Sequence, residues 1–408
     1  MKNRTWTRTK QAAGQGRART LIRMLLVGLV SAGLVSAAQA GPREQARRIH
    51  DRLAGVPPTE AVLGAMEADI QNNNALAAAS TAMDNPNFYN VTLKNFAAPW
   101  TNRDQSAFVP LNDYIATVIG LIRDDDPTLG FNQLLSADVL YVGASGLPIA
   151  PYSSSSNQHY ADMESQSLDL SSTAVLQQRV QSSLAGSVPA AATAGVITSR
   201  GAAEAFFIAG TNRAMFRFTM VNHMCNDMEQ VHDVKLVPDR IRQDVSRSPG
   251  GDSRLFLNSC IGCHTGMDPM AGAFAYYNYN DVSGNIEYTN GVVQSKYFNN
   301  EDNFPFGYVT TDDSWMNYWR EGQNQFLGWD SSLPGAGNGA KSLGVEFGNS
   351  DAFANCQVKK VFNAVCLRQP EDLNDRTQVA AMVSTFKAGN IYSMKRVFAD
   401  AAVYCMGQ

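Results

Sequence analysis

Charge is scarce in this chain: Asp, Glu, Lys and Arg make up 17% of its 408 residues, below the usual quarter. Asn, Ser, Gln and Ala take up the difference, so the surface is polar without being strongly charged. No long basic run occurs beyond residue 40, which argues against a nucleic-acid partner. There is no G-x-S-x-G, and the five histidines, His50, His159, His223, His232 and His264, are too few to support a Ser-His-Asp assignment. No catalytic residue is therefore named. No internal repeat is visible. With 44% apolar residues the chain still has enough to bury for most of it to fold.

The longest apolar run, Met24 to about Ala38, is too short and too rich in Gly and Ser to span a bilayer comfortably. It follows Lys2, Arg4, Arg8, Lys10, Arg17, Arg19 and Arg23, with no acidic residue, and precedes Ala38-Gln39-Ala40. That order of basic, apolar and small residues is a secretory signal peptide over 1–40, cleaved after Ala40. No Cys near the cleavage site offers a lipid anchor, and no Arg-Arg pair points to the twin-arginine route. The expected location is the periplasm, with no membrane span after cleavage. Taking the leader's seven basic residues from 33 leaves 26 against 37 acidic ones, a formal charge of −11.

The six cysteines are Cys225, Cys260, Cys263, Cys356, Cys366 and Cys405. Cys260-Ile261-Gly262-Cys263-His264 is the c-type haem attachment pattern. Two thiols three positions apart on one helical turn can each form a thioether to one porphyrin, and the adjacent His then offers a nitrogen to the iron. A redox C-x-x-C is the competing reading. A zinc site is weaker, because no second C-x-x-C or H-x-x-x-H accompanies it. One such motif means one covalent haem c, held by Cys260 and Cys263 with His264 as iron ligand.

Four cysteines remain, an even number that favours two disulfides in an oxidising compartment. Ser350 to Leu367 reads as a helix, with Ser350 as N-cap and Phe353, Val358, Val361, Phe362 and Val365 as its apolar stripe. Cys356 and Cys366 would then stand about 15 Å apart at roughly 1.5 Å per residue. A disulfide needs Cα atoms within about 7 Å, so they cannot pair with each other. Two further helices, near 372–388 and 392–404, run antiparallel to their neighbours. That brings the ends of the first and third together and predicts Cys366–Cys405, leaving Cys225–Cys356.

Elsewhere, helices are expected from Arg47 to about Gln71, broken at Gly55-Val56-Pro57-Pro58 with Thr59 as a cap. Others are expected over 111–123, 168–184 and 201–229. Asp124-Asp125-Asp126 reads as a solvated turn rather than a metal site. A short hairpin is expected around Asp281–Gly284. Gly335 to Ala340 lacks the preceding strand and acidic residue of a nucleotide loop and reads as a flexible loop. The Ala-rich stretch 186–201 is the candidate domain boundary.

From Gly195 onward the chain resembles the exported, single-motif cytochrome c-like proteins of unknown function best known from planctomycetes. The residues that carry the likeness are Gly195-Val-Ile-Thr-Ser-Arg200, Arg213, Cys225, and Cys260-Ile-Gly-Cys-His-Thr-Gly-Met-Asp-Pro269. Tyr276–Gly284, Cys356–Arg368, Phe386 and Tyr392-Ser-Met-Lys395 continue it, and Arg52 to Thr59 resembles the group's N-terminal module. The resemblance implies a mainly α fold: a helical N-terminal domain over 41–194, then a cytochrome c-like haem domain over 195–408 with a minor β hairpin and long loops. It implies little about reaction, because the family has no settled activity.

The second axial ligand decides the use of the iron. A Met or second His closes the site for electron transfer, whereas an open site binds oxygen or peroxide. Met316, among aromatics in Ser314-Trp-Met-Asn317, is the expected distal ligand. Met394 and Met406 are alternatives, as are His223 and His232. Three uses follow: single-electron transfer with a basic redox partner, which leads; a haem-dependent oxidoreductase with an open distal site; or a surface or assembly module stapled by haem.

Overall fold

Of the first four helices, the second and fourth start where a polar side chain caps the first turn. A computed structural model describes residues 40–297 and 300–407, so the expected signal peptide lies outside the described residues. Helix α1 (Pro42–Ala54) turns at Gly55, and α2 (Glu60–Gln71) starts where the Thr59 hydroxyl accepts from the Val62 amide. Helix α3 (Ala75–Met83) follows, and α4 (Asp113–Asp124) is capped by Asn112 and buried along most of its length. Asp125 ends α4 in the left-handed region, and Asp124 is tied to Arg123 and Tyr141, so the acidic run forms the cap of a helix.

Residues 176–180, expected to be helical, instead form β2 (Leu176–Val180), antiparallel to β1 (Val139–Gly143). The upstream Asp169 and Ser172 side chains bond backbone amides two residues on, which favours turns over a helix start. Between the two strands lies α5 (Gln158–Ser165). The expected helix over 201–229 is also broken, into α6 (Arg200–Phe206), α7 (Arg213–Thr219) and a π turn over Met220–Met224. Left-handed Ala209, Gly210 and Asn212 separate α6 from α7.

Helix α8 (Ile261–Ala271) carries Cys263 and His264 and is entered through a second π turn, Phe256–Cys260, that ends on the first motif cysteine. The expected hairpin is present as β3 (Tyr277–Asn280) against β4 (Asn285–Tyr288). The 335–340 segment is not a flexible loop: β6 (Ala336–Asn338) pairs with β5 (Ser314–Met316) and runs into α9 (Gly339–Gly348). Three helices close the chain: α10 (Asp351–Cys366), α11 (Leu373–Lys387) and α12 (Met394–Tyr404), capped by Ser350, Asp372 and Ser393. The fold is mainly α, and its sheets are two-stranded.

The disulfides are Cys225–Cys356 and Cys366–Cys405, with Cα atoms 5.2 and 5.5 Å apart, the pairing that the helix geometry requires. Residues 42–406 form one unit, and the expected boundary at 194/195 falls inside it. Phe88 meets Phe398 edge-on at 5.2 Å, and Arg52 donates to the Val365 carbonyl, so the first and last helices share one core. Among the described residues no helix is long and apolar enough to cross a membrane.

Candidate haem-attachment site

Two glycines one turn apart decide how α8 is seated. A Cβ on Gly262 would lie 2.3 Å from His232 Nε2, and one on Gly266 would lie 2.0 Å from Trp319 Nε1. Bare backbone therefore lets the rear of the helix lie directly on His232 and the fully buried Trp319. At 3.6 residues per turn, Cys260, Cys263, His264 and Met267 then fall on the other side.

Cys260 and Cys263 are both free thiols and half-buried. Cys260 packs with Ile261 against Ile241, Val245 and Phe256. The Cys263 thiol donates to the Met228 carbonyl at 3.5 Å. Burial pushes that thiol's pKa up, and the negative charges of Glu229 and Asp227 add to the effect. A redox-active C-x-x-C requires the reverse, a thiolate stabilised by positive surroundings.

His264 sits in a buried ionic network. Its Nδ1 is 3.1 Å from both carboxylate oxygens of Asp268, one helical turn away. Asp268 is gripped by Arg213, whose Nε and Nη2 donate at 2.8 and 3.0 Å. The outer edge of the same guanidinium donates to Asp244 at 2.8 and 3.0 Å, and Arg242 meets Asp244 at 3.3 Å. Burial alone would raise the pKa of Asp268, but the Arg213 charge and the His264 bond outweigh it and hold the carboxyl far below the usual range. An ionised Asp268 can only accept, so Nδ1 of His264 carries the hydrogen and Nε2 is the nitrogen left for a metal. Ligating histidines are usually anchored in this way.

Beside the motif lies a cleft of about 670 Å³. Cys263, Met267 and Met228 line it, as do Phe218 of α7 and, among its basic residues, Arg103 and Arg217. Just before Cys260, Leu255 and Leu257 are 51% and 55% exposed, an apolar surface that the protein's own side chains leave uncovered. Two free thiols, an oriented imidazole and uncovered leucines are the features a covalent haem would use, and of the three motif residues Cys263 alone lines the adjoining cleft.

Comparison with family models, with curated proteins and with solved structures finds no match.

Met316 ends β5, is 37% exposed, and lines a different cleft of about 690 Å³ with Tyr318, Arg320, Leu236 and Val237. None of Cys260, Cys263 and His264 lines that cleft. Met394 is buried at the start of α12, and Met406 is buried beyond its end. The methionines in the cleft with Cys263 are Met228 and Met267. His223 is engaged elsewhere through Nε2, 2.6 Å from the Tyr114 hydroxyl; its Nδ1 is buried without a partner, and burial and the nearby Lys360 charge hold its pKa well below the usual value. His159 accepts from the Gly143 amide, and His50 bonds the Val56 carbonyl. The Asp268–Arg213–Asp244 network was not anticipated as a unit. The four-residue step from His264 to Asp268 was its one readable signal.

Proposed function

We propose that this chain is an exported c-type cytochrome of the periplasm, acting in single-electron transfer through one covalent haem. The observation that carries the proposal is the conjunction, at the start of α8, of two free thiols three residues apart and a histidine whose Nδ1 is anchored by Asp268. Cys260 and Cys263 would each add a thiol across a vinyl group, and His264 would present Nε2 to the iron. Arg103 and Arg217 line the cleft but are engaged with the Ala205 and Ile208 carbonyls and with Asp227, so haem propionates would compete with those partners. When bound, the haem would supply a one-electron couple; Asp268 would orient its ligand, and Phe218 and Met228 are the apolar side chains that share the cleft with Cys263. The formal charge of −11 beyond residue 40 favours a basic redox partner.

A second reading, a haem-dependent oxidoreductase, is favoured by one observation. A carboxylate bonded to the proximal histidine enriches the iron in electrons, which aids oxygen or peroxide activation. The optical spectrum of the reduced, periplasmically matured protein separates the two. Low-spin bands that carbon monoxide leaves unchanged are expected for electron transfer; a Soret band that shifts readily under carbon monoxide would replace it with the enzyme reading.

A further inference from the structure

We propose that Asp268 is the positioning residue that sets the reduction potential of the site, and that Arg213 holds it to that task. The proposal rests on the haem reading above and adds to it the origin of the potential. Asp268 reaches His264 Nδ1 with both oxygens at 3.1 Å, and its side chain is wholly shielded from solvent. Such a carboxylate draws the Nδ1 hydrogen toward itself and places negative charge on the imidazole ring. Negative charge at the ligand stabilises the ferric state over the ferrous state and lowers the potential. Shielding from water makes the effect larger than at a surface.

Arg213 defines how far this goes. Its fork holds both Asp268 oxygens, so the carboxylate cannot swing away from the ring, and its charge tempers the pull on the histidine hydrogen. Asp244 occupies the other edge of the guanidinium. Two carboxylates and two guanidiniums make this cluster neutral without counting His264. Only Asp268 among the four hydrogen-bonds the histidine, which separates a bonded effect from a general field.

The test is potentiometric titration of holoprotein carrying Asp268→Asn beside Asp244→Asn. The equilibrium constant for reduction should rise tenfold or more in D268N, about 59 mV for one electron, and by clearly less in D244N. An unmoved potential in D268N with haem still attached overturns the proposal, and so does an equal shift in both variants. Should D268N fail to fold, NMR of the unaltered ferric holoprotein decides. A His264 Nδ1 proton that exchanges slowly with water supports the bond, and a freely exchanging one overturns it. Failure of the unaltered protein to attach haem would instead sink the haem reading itself.

Discussion

The six cysteines divide between two regions that are finished in different ways. On α10, Cys356 and Cys366 are closed by Cys225 and by Cys405 just past α12, and the two helices are packed on Phe353, Phe362, Val397 and Phe398, all fully buried. At the start of α8, Cys260 and Cys263 close nothing, and the leucines before them face solvent. The first region is completed by bonds within the chain. The second seats Gly262 and Gly266 on His232 and Trp319, yet leaves both of its thiols without a disulfide partner. The proposed haem would take up these two unpaired thiols.

Breaking the covalent side of this comparison should have the largest effect on stability. Replacing Cys225 and Cys356 together by Ala removes a link between residues 131 positions apart and should cost about 2–5 kcal/mol in urea unfolding, while haem attachment at Cys260 and Cys263 persists. Loss of attached haem in that variant would show that the two regions are not independent.

A smaller effect is expected behind α8. Gly266→Ala drives a methyl group into the Trp319 indole, which is fully buried and has no room to retreat. A cost of about 1–3 kcal/mol is expected, together with a changed haem spectrum as the helix shifts. Unaltered stability would mean that the glycine seat is not what positions the motif.

The smallest effect sharpens the disulfide side. Lys360 donates to the Asn222 carbonyl and lies over the Trp100 ring at 4.1 Å, and burial lowers its pKa to about 7. The unfolded chain, with an ordinary lysine pKa near 10.4, binds more protons than the folded one between pH 7 and 10. Stability should therefore rise with pH across that window and level off above it. Lys360→Met should remove the rise and stabilise the protein at pH 7 by about 1 kcal/mol, the half-buried position limiting the gain. A flat profile in the unaltered protein would place the ammonium in water.

Much of this was legible from local pattern. The apolar stripe from Phe353 to Val365, the Ser350 cap and the rise per residue are enough to forbid Cys356–Cys366 and to leave the observed pairing. C-x-x-C-H and the turn at Asp281–Gly284 are likewise short-range signals. What escaped depends on distant partners. β2 takes its form from pairing with β1, whose Tyr141 faces Gln178, and nothing within 168–184 announces that partner. Met316 stands among aromatics in sequence, as a packed ligand would, but Trp319 three residues later is pinned behind α8 while Met316 lines another cleft. Met228 joins Met267 in the cleft with Cys263 through a turn 35 residues upstream of that cysteine. Arg213 reaches Asp268 across 55 residues, a distance no periodicity spans.

The most direct test of the central claim is intact-mass measurement of the protein matured in a periplasm equipped for c-type cytochrome assembly, read beside its alkaline pyridine spectrum. One haem per chain, stable to acid and organic extraction and absent when Cys260 and Cys263 are both changed to Ser, is the predicted result. A mass with no added haem, and Cys260 and Cys263 recovered as thiols or joined to each other, would contradict it.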